Sequence, residues 1–219
     1  MEQDRLLDLL RRVKDGQVTP EEAVLQLKMQ PFEDLGYAKV DHHRKLRHGI
    51  AEVIYGEGKT PEQIAGIIEA MRQNGEKNIL VTRLSAEKAG ELSKTLEFKY
   101  NPVARIAICG YAPEVTAPGT IAVVAARTSD LPVADEAAVT AEALGNRVER
   151  VYDVGVAGLH RLLSRLDTLM SARVVIAVAG MEGALATVVG GLVAAPVIAV
   201  PTSVGYGANF NGLAALLSM

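Results

Sequence analysis

Cysteine, aromatic residues and excess basic charge are all scarce in this sequence. Among its 219 residues there is one cysteine, Cys109, there is no tryptophan, and 4% are aromatic. One cysteine excludes an intrachain disulfide framework, so a cytoplasmic location is the default expectation. With so few aromatic side chains, the core must be built from Ala, Val, Leu and Ile. That composition favours closely packed α/β layers over an aromatic-rich β-sandwich.

The charge balance and the hydropathy pattern exclude two classes of partner. The formal net charge is −3 at pH 7, so no overall basic field attracts nucleic acid. No apolar run reaches the roughly 20 residues that a membrane-spanning helix needs. The first residues, Met1-Glu2-Gln3-Asp4, are polar and acidic, unlike those of a signal peptide. We expect neither nucleic acid nor a membrane as a partner.

Strand and helix patterns alternate regularly after residue 119. Strands are predicted at residues 120–125, 148–154, 173–179 and 196–200, and helices at 132–144, 159–170, 184–192 and 213–219. Such alternation with short turns predicts a parallel, doubly wound sheet. Residues 110–119 contain Pro113 and Pro118 and form the best linker candidate. The predicted domains are therefore residues 1–110 and 119–219.

Residues 1–110 are predicted to form a smaller α/β module that begins with a helical hairpin. The first helix is predicted to carry one apolar face, made of Leu6, Leu7, Leu9, Leu10 and Val13. Capping boxes with proline at the first helical position begin at Thr19 and Thr60, and the second opens a helix to about Gln73. Strands are predicted at 51–55, 78–82 and 104–109, and a helix at 85–96.

The stretch from Val174 to Ala184 is the most informative part of the chain. An unbroken apolar run ending at Gly180 predicts a strand that is buried on both faces of a parallel sheet. Glu182 follows between Gly180 and Gly183, and glycines allow the backbone to approach a ligand closely. Glu182 is therefore predicted at the carboxyl edge of the sheet, where open α/β sheets bind their ligands.

Polar or glycine-rich turns follow all four predicted strands of the second module. They are Arg127–Asp130, Asp153–Gly158, Gly180–Gly183 and Pro201–Gly207. Hydroxyls, backbone amides and helix amino termini at one edge suit phosphate or carboxylate groups, and Asp130 and Glu182 could handle protons. Any single turn of this kind more often only connects a strand to a helix, because Ser and Asp are favoured helix caps. Neither a Walker A motif nor a complete G-x-G-x-x-G supports ordinary nucleotide binding.

The histidines allow two interpretations. His42, His43 and His48 with Asp41 are possible metal ligands, although adjacent histidines point in different directions and the usual ligand spacing is absent. A solvated basic loop is the favoured interpretation, and with Arg44, Arg47 and Lys59 this loop could bind an anion. His160 is predicted to cap a helix or to lie at the core edge, and Cys109 to be an inert core residue.

Four motifs of the second module, in this order, resemble the LarB family of nickel-pincer cofactor biosynthesis proteins. They are Thr128–Val133, Asp153–Arg161, Ala179–Ala184 and Pro201–Gly207. Asp41–Arg44, Glu52–Gly56, Lys59–Gln63 and Thr82–Ser85 of the first module also look like that family. The resemblance covers nearly the whole chain. The second module is similar in turn to the aminoimidazole ribonucleotide carboxylase PurE, whose octamers imply a homo-oligomer here.

The resemblance implies a specific activity. LarB proteins carboxylate the pyridinium ring of nicotinic acid adenine dinucleotide at carbon 5 and cleave its phosphoanhydride. The products are pyridinium-3,5-biscarboxylic acid mononucleotide and AMP. Carbon dioxide or bicarbonate would be the co-substrate, and magnesium is the ion expected for phosphoanhydride cleavage.

The same resemblance implies roles for residues of the four turns. Glu182 is the candidate ring-proton base, and Ser129 and Asp130 would hold the ring carboxylate or the ribose. The remaining expected substrate-binding residues are Thr128, Asp153, Gly155, Gly158, Gly180, Met181, Gly183, Thr202, Ser203, Gly205, Tyr206 and Gly207.

Two departures limit the comparison. The family's nucleophilic cysteine would follow the uncapped helix that ends at Ser218-Met219, so we expect a longer natural protein, and no carboxylation by residues 1–219 alone. Arg127 stands where the family usually has glycine, and it would either fill the pocket or add a phosphate ligand. The alternatives are an aminoimidazole ribonucleotide carboxylase, whose histidine-bearing glycine loop is replaced here by Gly180–Gly183, and a non-catalytic nucleotide-binding module.

Overall fold

Two four-stranded β-sheets organise the chain in a computed structural model that describes residues 2–28, 33–42, 44, 49–111 and 113–219. The first sheet belongs to the amino-terminal half and mixes parallel and antiparallel pairs. The second sheet is entirely parallel. This mixed architecture confirms the α/β class and the doubly wound second module. Within the described residues, no helix has both the length and the apolar character needed to cross a bilayer.

The chain begins with a helical hairpin, α1 (Glu2–Lys14) and α2 (Pro20–Lys28). The capping box between them is confirmed, because the Thr19 hydroxyl accepts the Glu22 N–H and the Glu22 carboxylate accepts the Thr19 N–H. Leu9 and Ala23 are buried between the helices. Leu7 and Leu10 of the predicted apolar face are about half exposed.

The part of the first module that the structure describes continues with the following strands and helices. They are β1 (Glu33–Asp34), β2 (Lys39–Val40), β3 (Ile54–Tyr55), α3 (Pro61–Gln73), β4 (Asn78–Thr82), α4 (Ala86–Leu92), β5 (Lys99–Asn101) and β6 (Ile106–Gly110). β1 and β2 pair with each other, and the larger sheet has the order β3-β4-β6-β5. The Thr60–Gln63 capping box of α3 is confirmed. β5 was not predicted, and α4 ends four residues earlier than expected, at Leu92.

The second module contains four parallel strands and five helices. They are β7 (Thr120–Ala125), α5 (Leu131–Ala143), β8 (Arg147–Val151), α6 (Leu159–Leu163), α7 (Leu166–Ser171), β9 (Val174–Ala179), α8 (Ala184–Leu192), β10 (Val197–Pro201) and α9 (Leu213–Ser218). The strand order is β8-β7-β9-β10. Both faces of β7 are buried, because Val123 packs with the α5 residues Ala134 and Ala138, while Val124 packs with Leu162 and Leu169 from α6 and α7.

The expectation of one continuous helix over residues 159–170 is wrong. The chain leaves helical geometry at Arg165, between α6 and α7. The Ser164 hydroxyl donates to the Arg161 carbonyl at 2.7 Å, and such local side-chain bonds compete with the helical backbone pattern. Leu162 and Leu169 still reach the same core cluster from the two short helices. Hydrophobic spacing alone could not reveal this break.

Helix α5 joins the two modules. At its carboxyl end, the Asn78 side-chain amide donates to the Ala143 carbonyl at 2.6 Å. Nearer its amino end, Arg83 Nε lies 2.9 Å from Glu136 Oε1. Asn78 begins β4 and Arg83 follows its end, so β4 and α5 run in opposite directions. β7 also runs opposite to α5, and therefore β4 and β7 present their carboxyl ends on the same side of the molecule.

Candidate functional site

The strand order of the second sheet creates a crevice at its carboxyl edge. β7 and β9 are neighbours, but the chain leaves β7 towards β8 and leaves β9 towards β10. Connections that diverge in this way open a ligand crevice between the two strands. A cavity of about 110 Å³ lies there, and it is lined by Ala126, Arg127, Asp153, Gly155, Val156, Ala157, Arg161, Ala179, Gly180, Met181, Glu182, Ala184 and Leu185.

Five of the predicted site residues line this cavity, namely Asp153, Gly155, Gly180, Met181 and Glu182. They come from the turns after β8 and β9, and the turn after β7 contributes Arg127. The other predicted residues lie outside its lining. Six of them are exposed, namely Thr128, Ser129, Ser203, Gly205, Tyr206 and Gly207. The other four, Gly158, Gly183, Asp130 and Thr202, are buried. The structure thus brings three of the four turns to one cavity.

The turn after β9 holds Glu182 through backbone contacts. A Cβ on Gly180 would lie 2.0 Å from the Val204 carbonyl oxygen, so only glycine fits this position. The Met181 N–H donates to the same Val204 carbonyl at 3.2 Å, and Met181 itself has a positive φ of 55°. The Ser218 hydroxyl donates to the Glu182 carbonyl. With its backbone held in this way, the exposed Glu182 carboxylate is presented at the cavity rim.

The lining of the cavity carries both positive and negative charge, from two arginines and two carboxylates. Arg161 Nη1 lies 2.5 Å from the Asp153 carboxylate, and Asp153 has a positive φ of 57°. Such a backbone conformation is costly for a residue other than glycine and is typical of functional sites. Arg127 enters from the opposite turn. The sequence prediction missed Arg161 as a site residue, although its position one helical turn after Gly158 was a usable signal.

Asp130 and Thr202 form a buried pair beneath the edge. The Thr202 hydroxyl donates to Asp130 Oδ1 at 2.7 Å, while Oδ2 has no hydrogen-bond partner in the part of the chain that the structure describes. Asp130 is 1% exposed. Burial raises its pKa, against the opposing effects of the Thr202 hydrogen bond and the Arg127 charge. In this geometry Asp130 ties the turn after β7 to the turn after β10.

Replacing Asp130 by Asn tests this buried carboxyl. A carboxyl whose folded-state pKa is raised contributes stability that is complete below its ordinary pKa of 3.8 and is lost as pH rises through the folded-state value. We therefore expect the stability of Asp130→Asn, relative to the unmodified protein, to increase as pH rises towards neutrality. Urea unfolding at a series of pH values measures this difference.

The matched control is Asp8→Asn, which removes the same charge from an exposed helix position. A stability difference for Asp130→Asn that does not change with pH would contradict a buried carboxyl with a raised pKa.

The basic loop of the first module differs from the expectation at His42. Its side chain is 8% exposed, with Nε2 2.8 Å from the Glu33 carboxylate and 2.9 Å from the Asn74 side-chain amide. The favoured solvated-loop interpretation is therefore wrong for His42, because β1 and α3 cover it. Arg44 is exposed. His43, Arg47 and His48 lie outside the described residues, and the described residues contain no group of three or more side chains suited to a metal ion.

Two further expectations have clear outcomes. Cys109 is buried within the first sheet, and burial raises the pKa of its thiol. Its prediction as a core residue is confirmed. His160 is exposed, and Gly158 occupies the amino-terminal cap position of α6. The prediction that His160 caps this helix or lies at the core edge is wrong, since the 3₁₀ turn before α6 rotates it towards solvent.

Comparison with known proteins identifies both modules. Residues 32–111 match the family model of the LarB/PurE-like N-terminal domain, and residues 120–219 match that of AIR carboxylase. An uncharacterized protein of Methanocaldococcus jannaschii is 37% identical over 224 residues, which cover 97% of this chain and 86% of that protein. The chain belongs to the LarB family. Membership gives it a carboxylase-type function.

The two matched regions correspond to the two sheets of this LarB-family protein. The first sheet lies within the region matched by the LarB-type domain, and the parallel sheet lies within the region matched by the carboxylase. The cavity is built entirely from the carboxylase region. Arg127, where the family usually has glycine, lines that cavity and adds a positive charge to its lining.

Proposed function

We propose that this LarB-family protein carboxylates the pyridinium ring of nicotinic acid adenine dinucleotide and cleaves its phosphoanhydride. The products are pyridinium-3,5-biscarboxylic acid mononucleotide and AMP, in the first step towards a nickel-pincer cofactor. The observation that carries the proposal is the cavity at the carboxyl edge of the parallel sheet, whose lining includes Arg127, Arg161 and Glu182. Guanidinium groups suit carboxylates and phosphates, both of which this substrate contains.

The ring chemistry requires a nucleophile and a base. Carbon 5 of a pyridinium is electron-poor and does not attack carbon dioxide. Addition of a thiolate to a neighbouring ring carbon makes an enamine, whose carbon 5 then forms the new bond to carbon dioxide. A base next removes the proton from carbon 5, and departure of the thiolate restores the aromatic ring. In this proposal Glu182 is the base, and Arg127 and Arg161 hold the carboxylates in place.

The thiolate of this mechanism is not Cys109. Cys109 is the single cysteine of the sequence, and it is buried in β6 of the other sheet. Burial raises the pKa of its thiol, which keeps the thiol protonated. The proposal therefore assigns the thiolate to a group other than Cys109.

In this proposal a magnesium ion would bind together with the substrate phosphates and not at a site formed by the protein alone. Magnesium is usually held by one or two carboxylates together with substrate phosphates. Of the two carboxylates that line the cavity, Asp153 is paired with Arg161, and Glu182 is assigned to the ring proton. These residues do not form a magnesium site built by the protein, and no step above depends on the ion.

Incubation with nicotinic acid adenine dinucleotide and labelled bicarbonate tests the proposal. The protein is expected to release AMP and to yield a labelled mononucleotide. Labelling of aminoimidazole ribonucleotide instead would favour the second candidate, for which the AIR carboxylase match is the supporting observation. Binding of the dinucleotide without turnover would favour the alternative of a non-catalytic binding module.

We also propose that the protein is a homo-oligomer, an octamer by similarity to PurE. Support comes from large apolar side chains exposed on β10 and on the segment that follows it, namely Ile198, Phe210, Leu213, Leu216 and Leu217. Apolar surface of this extent is typical of protein interfaces. Because β10 is an edge strand of the second sheet, this surface is available to a second copy.

Ile198→Asp is expected to shift the protein to a smaller assembly, because it would bury a charge in the interface. Light scattering coupled to size-exclusion chromatography measures the mass. Met170→Asp is the control, since Met170 is as exposed as Ile198 but lies on α7. An unchanged mass for Ile198→Asp would exclude this surface as the interface.

A further inference from the structure

The first module carries a group of charged residues beside α5 that the proposed reaction has not used. We define the junction cluster as Tyr55, Glu57, Arg83, Arg105 and Glu136. Tyr55 is the last residue of β3 and Arg83 follows β4, while Arg105 precedes the antiparallel strand β6. All three positions therefore lie at the same edge of the first sheet. Glu136 of α5 reaches this edge through its contact with Arg83.

The junction cluster lies on the same side of the molecule as the cavity. Glu136 comes five residues after Leu131, the first residue of α5, which places it about 8 Å along the helix at 1.5 Å per residue. The turn that begins with Arg127 immediately precedes this helix. A substrate made of two linked nucleotides offers one nucleotide to the cavity and the other to the junction cluster.

Lys88 holds the loop of the junction cluster in place. Its ammonium group donates to three backbone carbonyls, those of Gly56 at 3.0 Å, Glu57 at 2.8 Å and Lys59 at 2.7 Å. This lysine comes from α4 and reaches across the sheet edge to the loop after β3. The loop that carries Glu57 is therefore built into a defined shape without substrate.

Arg83 and Arg105 both have a positive φ of 53°. Of the four other residues with positive φ that are not glycine in the described chain, two, Asp153 and Met181, line the cavity. The two arginines are also joined, because the Leu84 N–H donates to the Arg105 carbonyl at 2.8 Å. Strained backbone held by its surroundings is typical of ligand sites, and here it brings the backbone segments of two arginines together.

The charges of this region favour an anion. Four cations, Arg83, Arg105, Lys59 and Lys88, surround two carboxylates, Glu57 and Glu136. The Tyr55 hydroxyl donates to Glu57, and this bond, with the charges of Arg83 and Arg105, lowers the pKa of Glu57. Glu136 contacts Nε of Arg83, while bidentate phosphate binding uses the outer nitrogens of a guanidinium fork.

We propose that the junction cluster binds the adenosine monophosphate half of the dinucleotide, with Arg83 and Arg105 on the phosphate and the exposed ring of Tyr55 against the base. This inference rests on the proposed function and assigns the first module a role in it. The cavity of the second module then holds the pyridinium half. Cleavage of the phosphoanhydride takes place between the two modules.

Separate mononucleotides test the two halves independently. Calorimetry with AMP and with nicotinic acid mononucleotide is carried out on the unmodified protein and on Arg83→Gln. Arg83→Gln is expected to weaken AMP binding by about 10- to 100-fold, as for loss of a charge-assisted contact, and to leave the affinity for nicotinic acid mononucleotide unchanged. Arg147→Gln, at an exposed position of β8 outside the cluster, is the charge-matched control and keeps both affinities.

Glu136→Gln separates phosphate binding from domain contact. It removes the ion pair between the modules but keeps Arg83, so AMP binding should be retained or strengthened. Equal weakening by Glu136→Gln and Arg83→Gln would assign the effect to the ion pair and overturn the inference. Unchanged AMP affinity in Arg83→Gln, or no AMP binding by the unmodified protein, would also overturn it. The proposed function itself fails separately, if nicotinic acid mononucleotide does not bind.

Discussion

Glu182→Gln is expected to lower the rate of pyridinium carboxylation by about 10²- to 10⁴-fold, the usual contribution of a positioned general base. Glutamine is nearly the same size as glutamate, so the turn after β9 keeps its shape. Its carboxamide cannot accept the proton from carbon 5, and the carboxylated ring cannot become aromatic again. The rate is measured by incorporation of labelled bicarbonate into the mononucleotide.

The affinity for the dinucleotide distinguishes a base from a binding group. Glu182 is exposed at the cavity rim and its backbone is held by Gly180, Met181 and Ser218 contacts that the substitution does not touch. Binding should therefore change much less than the rate. Glu149→Gln, at an exposed position of β8, removes the same charge outside the cavity and should leave the rate unchanged. A wild-type rate in Glu182→Gln would exclude Glu182 as the base.

Gly180→Ala is expected to destabilise the fold by about 3 kcal/mol, at the upper end of the usual cost of overpacking. The added Cβ would lie 2.0 Å from the Val204 carbonyl oxygen and 2.7 Å from the Thr202 hydroxyl. A backbone carbonyl cannot rotate away as a side chain can, so the turns after β9 and β10 must separate. For a chain of this size, the change corresponds to a fall in Tm of roughly 6–12 °C.

Gly190→Ala is the matched control. Gly190 lies in α8, and a Cβ there meets nothing within 4 Å. Alanine in a helix interior is more favourable than glycine by about 0.5–1 kcal/mol, so this variant should be slightly more stable than the unmodified protein. Thermal unfolding followed by circular dichroism compares the three proteins. A Tm for Gly180→Ala equal to that of the unmodified protein would contradict the close approach of the two turns.

Local signals predicted much of the fold. The capping boxes at Thr19 and Thr60 depend on residues three positions apart, and both are present. The apolar run before Gly180 predicted β9, since a strand buried on both faces must be apolar throughout. Apolar spacing, which is also a local signal, did not predict the helix end at Ser164. There the Ser164 hydroxyl bonds to a backbone carbonyl and the helix ends, although the apolar spacing continues.

Parts of the candidate site depend on residues far apart in the chain. The order of predicted strands and helices placed Glu182, Asp153 and Asp130 in turns at one edge of the sheet. It did not predict the different surroundings of these three side chains. Glu182 is exposed, Asp153 is paired with Arg161, and Asp130 is buried against Thr202, which is 72 positions away. Such burial depends on strand order, which no local pattern contains.

Periodicity, capping residues and glycine positions were sufficient to establish the α/β class, the parallel sheet and the edge that carries Glu182, because hydrogen bonding within helices and the alternation of strand side chains are local properties. Tertiary packing alone placed β7 between β8 and β9, and so opened the cavity that Arg127 and Arg161 share. It also brought Arg83 to Glu136 across 53 positions. These contacts arise only when apolar faces from distant segments are buried together, and that is why the tertiary structure was needed to find them.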